Sequence, residues 1–283
     1  MKILIPTDFS ANADHAIKYA SMLGKAMNAD LIFLHVYTPP VTRGNIAYPL
    51  IIEEKGRMTR EANEKLLSIS AAISDSYGIR CEHLVRIGSP VDEIVKEAED
   101  REVDLIVMGT LGASGISRIV FGSNTAFVME KATCPVFAVP VNSTLVLPKK
   151  IVFAINYSDN DIQTVKDLVK ITQPLKAELT LLHVSKENLR SDDHLLEDFS
   201  KAVAKEAKIE QPFYYTMHHE DIQKGIDHFV DSVSADVIVM SMRNRGIFQK
   251  VFNPSLSKGM AYQARIPLLV FHAVQVTSDD NNV

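Results

Sequence analysis

The sequence predicts an α/β protein made of two similar units in tandem, each a parallel sheet of five strands flanked by helices. Three observations carry that expectation. The chain aligns with itself, short β-branched runs alternate with amphipathic segments throughout, and its 283 residues exceed the ~100–200 of one ordinary domain. Residues 2–36 lie on 150–184 without a gap and share ten identities, among them Lys2/Lys150, Ser10/Ser158 and Leu34-His35-Val36 on Leu182-His183-Val184. Residues 104–138 lie on 236–270 with seven, including Asp104/Asp236, Ile106-Val107-Met108 on Ile238-Val239-Met240 and Pro135/Pro267. Chance gives roughly two per window at ordinary residue frequencies. The offset falls from 148 to 132, so the second copy is sixteen residues shorter. The missing stretch is expected after the second strand, where the first copy holds Pro39, Pro40, Gly44 and Pro49 and a loop from about Thr38 to Glu54 is predicted.

The elements follow in order. KILIP, DLIFLHV, CEHLVRI, DLIVM and PVFAVP read as buried parallel strands of the first copy. KIVFAI, ELTLLHV, FYYTMH, DVIVM and PLLVFH are their counterparts. Between the first two lies Ala11–Met27, whose Ala16, Ile17, Ala20, Leu23 and Met27 share one helical face, with Ser10 placed to cap it. Ser89-Pro90 starts a helix reaching about Glu99, and another begins near Ser123. Each copy accommodates about four helices, with a connector near 141–149, VNSTLVLPK. Regular strand–helix alternation requires right-handed crossovers, and ligands on such sheets sit beyond the carboxyl ends of the strands.

Composition excludes several functions. Hydrophobic residues make up 46% and charged ones 23%, which is ordinary for a full core and excludes disorder, collagen and disulfide scaffolds. A net charge of −5 and a pI near 6.0 argue against binding nucleic acid by bulk electrostatics. No run reaches the ~18–20 apolar residues of a membrane span. Pro6 and Asp8 interrupt the start too early for a signal peptide, so a cytoplasmic location is expected. Cys81 and Cys134 have neither zinc nor redox spacing and read as reduced structural thiols.

The chemistry is sought after the fourth strand. There Gly109, Gly112 and Gly115 fall within seven residues, and Gly122 precedes the helix near Ser123. Glycine lets a ligand approach the main chain, and a helix amino terminus offers unpaired N–H groups to phosphate oxygens. Ser123 either caps the helix or donates to phosphate. On glycine content alone, a phosphate cradle and an ordinary flexible loop stand level.

Gly109-x2-Gly112-x9-Gly122-Ser123 resembles the signature of the ATP-binding branch of the universal stress protein family. Pro6-Thr7-Asp8, Leu34-His35-Val36 and Cys134-Pro135-Val136 are similar to that family too, so the resemblance spans two tandem domains, 1–143 and 148–277. It implies a strand order of 3-2-1-4-5 in each and a pseudo-dimer joined through PVFAVP and PLLVFH, whose edges would otherwise be exposed. It implies ATP, with Mg²⁺ held through the phosphates. Asp8 would meet the adenine or ribose end, next to Pro6 and Thr7, and Val36 and Met108 would line the adenine. Gly109 and Gly112 would bring N–H groups to the ribose and phosphates, and Gly122, Ser123 and Asn124 would hold the phosphate chain. Asp8 also reads as a cap for the following helix, and Arg118 either screens phosphate charge or, as the favoured reading, is a solvated surface residue.

The second copy departs from this signature: Asp8 becomes Asn156, Gly109 becomes Ser241, Gly112 becomes Asn244 and Gly122 becomes Pro254, while Ser123 keeps its type as Ser255. Proline has no N–H to donate. The second domain is therefore expected to hold no nucleotide and to complete the pseudo-dimer, with Arg243 and Arg245 in an exposed basic turn. His35 and His183 recur in both copies, which favours a structural role. His218-His219 lack a ligand set for a metal. Neither a Walker A sequence, a G-x-G-x-x-G fingerprint nor a nucleophile elbow is present, and no catalytic residue is assigned. The leading expectation is an ATP-binding stress-response regulator that signals to an unidentified protein partner, with at most slow hydrolysis. A weak ATPase and a nucleotide-free interaction scaffold are the competing readings, and a homodimer of such chains is compatible with each.

Overall fold

The computed structural model describes residues 1–39, 48–110, 122–186, 193–207, 212–242 and 266–272. The first half runs β1 (Lys2–Pro6), α1 (Ala11–Met27), β2 (Asp30–Tyr37), α2 (Tyr48–Tyr77), β3 (Cys81–Ile87), α3 (Pro90–Asp100), β4 (Leu105–Gly109), α4 (Ser123–Lys131) and β5 (Val136–Val139). The second runs β6 (Lys150–Ile155), α5 (Asp159–Leu175), β7 (Glu178–Ser185), α6 (Asp193–Ala207), β8 (Phe213–His218), α7 (Ile222–Val233), β9 (Val237–Met242) and β10 (Leu268–His272). All strands join one ten-stranded sheet, ordered β3-β2-β1-β4-β5-β10-β9-β6-β7-β8. Each half is thus a 3-2-1-4-5 parallel sheet, and the only antiparallel pairing among the described strands is the seam, where Leu268, Leu269 and Val270 face Ala138, Phe137 and Val136. The two terminal strands do join the halves as the resemblance implies. Parallel strands buried on both faces explain the continuous β-branched runs: Ile3 and Ile5 enter the core under α1 and α5, and Leu4 enters the core under α3 and α7.

Helix α1 has the bounds read from the sequence. Ser10 Oγ accepts the Ala13 N–H at 3.2 Å, the expected apolar face is buried, and Asn28 closes the helix in the left-handed region. Helix α3 opens on Pro90 and buries Val91, Ile94 and Ala98. Two expectations need correction. The stretch after β2 is not a loop to Glu54, because α2 begins at Tyr48 with Pro49 in its first turn, where a missing N–H costs nothing. The sixteen-residue difference does fall between the second and third strands, but as helix: α2 has 30 residues and α6 has 15. The second half shows three helices among the described residues, and the segment aligned with α4 lies outside them.

Both thiols are free; burial pushes Cys81 up to about 11 and Cys134 up to about 12, which favours the protonated thiol at neutral pH. Among the described residues no helix is long and apolar enough to cross a membrane.

Candidate functional site

The strand order reverses between β1 and β4, and a cleft of about 340 Å³ opens there at their carboxyl ends. Pro6, Thr7 and Asp8 bring β1 into it, Val36 comes from β2, and Met108 and Gly109 from β4. Gly122, Ser123 and Asn124 form the opposite rim at the start of α4. Nine of the ten residues singled out from the sequence therefore line one cavity, and the tenth, Gly112, lies outside the described residues with Arg118. Leu34, Ala13, Pro90 and Ile94 complete an apolar wall, and Thr125 completes the rim.

The turn after β1 is built by local bonds. The Thr7 N–H extends the ladder to the Leu34 carbonyl at 2.8 Å. The Phe9 N–H donates to Thr7 Oγ1 and the Ser10 N–H to Asp8 Oδ1, each at 3.0 Å, so both side chains mimic a backbone turn. Asp8 therefore caps the turn, and Ser10 caps the helix. Phe9 takes a φ of 62°, a strained value for a bulky residue, and stacks on His35 with ring centroids 4.4 Å apart. His35 Nδ1 donates to the Thr7 carbonyl at 2.8 Å. The second half repeats this device: Tyr157 at 58° lies 4.3 Å from His183, whose Nδ1 donates to the Ile155 carbonyl at 3.0 Å. Both histidines hold the turn that presents the residue at position 8 or 156, the structural role their recurrence indicated.

Gly109 has a steric cause inside the protein. A Cβ there would lie 2.9 Å from the Asn12 carbonyl oxygen, so the end of β4 can pass under the first turn of α1 only without a side chain. Its carbonyl accepts from Thr125 Oγ1 at 2.7 Å, which ties α4 to β4 across the cleft floor. The N-cap of α4 is Gly122 rather than Ser123, and no side chain caps it among the described residues. Ser123 is thus the first residue of the helix, and the first turn of α4 presents its N–H groups and the positive end of its dipole to the cleft.

The second half differs where it can be compared. Asp161 stands at the position of Ala13, and its buried carboxylate accepts from the Asn156 N–H at 2.9 Å, the Ser158 N–H at 3.0 Å and Ser158 Oγ at 2.9 Å. A negative charge is therefore fixed where the first half offers a methyl group. Ser241 replaces Gly109, and its buried Oγ meets no partner among the described residues. Asn244, Pro254, Ser255, Arg243 and Arg245 lie outside the described residues.

Sequence reasoning missed Ala13, Leu34, Pro90, Ile94 and Thr125 as lining residues. The Ala/Asp exchange at 13 and 161, in otherwise matched turns, is the one signal by which Ala13 could have been found. Asp8 is the one ionisable side chain lining the described cleft.

Comparison with known proteins bears on both halves. The profile of the universal stress protein family matches residues 1–140 and 148–272. The chain is 32% identical over 152 residues to the universal stress protein MJ0577 of Methanocaldococcus jannaschii, covering 49% of this chain and 93% of that protein. It is 28% identical over 144 residues to YxiE of Bacillus subtilis, 49% and 97% covered respectively. A crystal structure of a universal stress protein from Archaeoglobus fulgidus superposes over 96% of this chain and 98% of its own, with a TM-score of 0.73 at 21% identity, so the two share the double fold.

Proposed function

The chain belongs to the universal stress protein family, and from that premise we propose that its first domain is an ATP-binding regulatory module in a stress response, with the second domain as its built-in partner. The observation that carries this reading is the convergence of nine signature residues on one cleft facing the uncapped start of α4. Its size falls within the ~300–1,000 Å³ of small-molecule sites. Leu34, Val36, Met108 and Ile94 supply an apolar wall for the adenine, and Asp8 stands at the base or ribose end. Gly109 leaves the main chain bare, and Gly122, whose own N–H donates to the Thr110 carbonyl, sets the start of α4 where Ser123 and Asn124 offer backbone N–H groups, a hydroxyl and an amide to the phosphates. Among the described residues no group of three carboxylates, histidines or cysteines is placed to hold a metal, so Mg²⁺ enters with the phosphates. Binding is favoured over turnover because Asp8 already accepts the Ser10 N–H and no second ionisable group lines the described cleft. Asp161 and Ser241 favour one site per chain over two. Occupancy would fix the rim of α4 and the residues around it, a surface for a protein partner to read.

Calorimetric titration of Mg-ATP into nucleotide-stripped protein tests the proposal. One nucleotide per chain is expected, with loss of binding in Gly122→Pro. Gly122 has φ −54° and ψ 146°, which proline accommodates, but its N–H donates to the Thr110 carbonyl, so the substitution removes the bond that ties the rim of α4 to the end of β4. Two nucleotides per chain would overturn the asymmetry, and none would overturn the site.

A further inference from the structure

The ten-stranded sheet ends on two edges, β3 and β8, and the chain finishes them differently. On β3, Glu82 and Arg86 enter an ion network with α3: Arg101 bonds Glu82 at 3.1 Å and Glu97 at 3.0 Å, Arg86 bonds Glu97, and Arg80 bonds Glu82 at 2.9 Å. Charged side chains along an edge resist the addition of another strand. Strand β8 reads FYYTMH, with no lysine, arginine, aspartate or glutamate, and among the described residues it pairs only with β7. Phe213 and Tyr215 are 61% and 51% exposed, although Tyr215 also packs on Phe229 of α7, with ring centroids 4.6 Å apart. In the internal repeat Phe229 takes the place of Glu97, so an aromatic cluster stands where the other edge has its ion network.

We propose that β8 is the docking edge for a second copy of this chain, the two β8 strands pairing antiparallel about a twofold axis perpendicular to the sheet. The chain already uses this operation internally, where β5 and β10 pair antiparallel at the seam and fuse two parallel sheets. A perpendicular twofold keeps each face of the sheet on its own side, so only odd-numbered residues can oppose Phe213, Tyr215 and Met217. The register centred on Tyr215 sets that ring against its own copy and Phe213 against Met217, which are favourable cross-strand pairs. None of the strand's residues brings a fixed like charge against itself. Head-to-tail pairing of β8 on β3 would instead set aromatic rings against Glu82 and Arg86, and would grow without closing. This proposal does not depend on the nucleotide reading.

Sedimentation equilibrium of the full chain across a wide concentration range tests it. The mass is expected to rise from 31.4 kDa toward twice that value. Phe213→Lys with Tyr215→Lys is expected to raise the dissociation constant at least about tenfold, since an inward-facing pair of like charges would meet at the seam. Both side chains are more than half exposed, so the fold should survive, which circular dichroism checks. In hydrogen exchange, amides of 213–218 should slow with rising concentration while those of 81–87 do not. A monomer at every concentration, a dimer that survives both lysines, or β8 protection independent of concentration (another occupant of the edge) would each overturn the proposal.

Discussion

A Cβ on Gly109 would collide with the Asn12 carbonyl before any ligand arrived, so this glycine serves packing first and leaves the main chain open as a result. Its counterpart Ser241 has a buried hydroxyl with no hydrogen-bond partner among the described residues. The rim of α4 was legible from its glycines and the helix start, whereas Asp8, Val36 and Met108 were named through the family resemblance, with Asp8 also placed just past the end of the first strand. Ala13 and Thr125 were not, because their parts depend on a turn and on a bond spanning sixteen residues that no local pattern announces. Another residue invites a pH measurement. Burial, with the charges of Asp231 and Asp221 nearby, pushes Asp227 up to about 6 from 3.8. The folded state therefore retains a proton that the unfolded chain gives up, so stability falls as the pH rises from about 4 to about 6. At ~1.4 kcal/mol per unit the ceiling is about 3 kcal/mol, and partial solvent contact reduces it to roughly 1–2. Asp227→Asn is thus expected to stabilise the protein by roughly that amount at pH 7 and hardly at all near pH 4, as read by urea denaturation. A gain that is equal at both pH values would contradict it.

Among the elements, α4 connects fold and site most directly. Its first turn faces the cleft, and Thr125 Oγ1 ties that turn to the end of β4. Removing the hydroxyl with Thr125→Val should cost about 1 kcal/mol of stability and leave the Gly109 carbonyl unpaired. Mg-ATP affinity should fall several-fold in the same variant, because the N–H groups would lose their fixed distance from β4. Titration alongside denaturation checks both, and unchanged affinity would mean that the Gly122 N–H on the Thr110 carbonyl and the apolar face suffice to hold the helix. Helix α1 was legible to the residue, since a serine cap, a regular apolar face and Asn28 all agree. Helix α2 was not: Pro49, with Pro39, Pro40 and Gly44 ahead of it, read as loop, although proline in a first helical turn is at home.

At the scale of the whole molecule the seam dominates. Two cores run the length of the sheet on its opposite faces, each drawing on both halves, and α1 packs against α5 across the join. Cutting the chain in the connector would bare β5, a strand without charge whose residues are fully buried. The first half alone is therefore expected to pair with itself, β5 on β5, and to sediment as a dimer of halves. A folded monomeric half would show that the seam is dispensable. The alternation of strand types and the self-alignment made this architecture readable, because parallel sheets bury both faces and duplicate their pattern with the gene. The joining partner was readable only through the resemblance, since nothing in PVFAVP or PLLVFH specifies what each strand meets. In an assembly of two identical chains every substitution is made twice, and the sites can only change together. Here the two halves are separate stretches of one chain, so Asp161 and Ser241 could arise in one without altering the other. On the proposed reading of one competent cleft per chain, and with the clefts of a β8-paired dimer acting independently, the dose–response to nucleotide would be a plain hyperbola whose midpoint reports the affinity directly, a graded gauge and not a threshold switch.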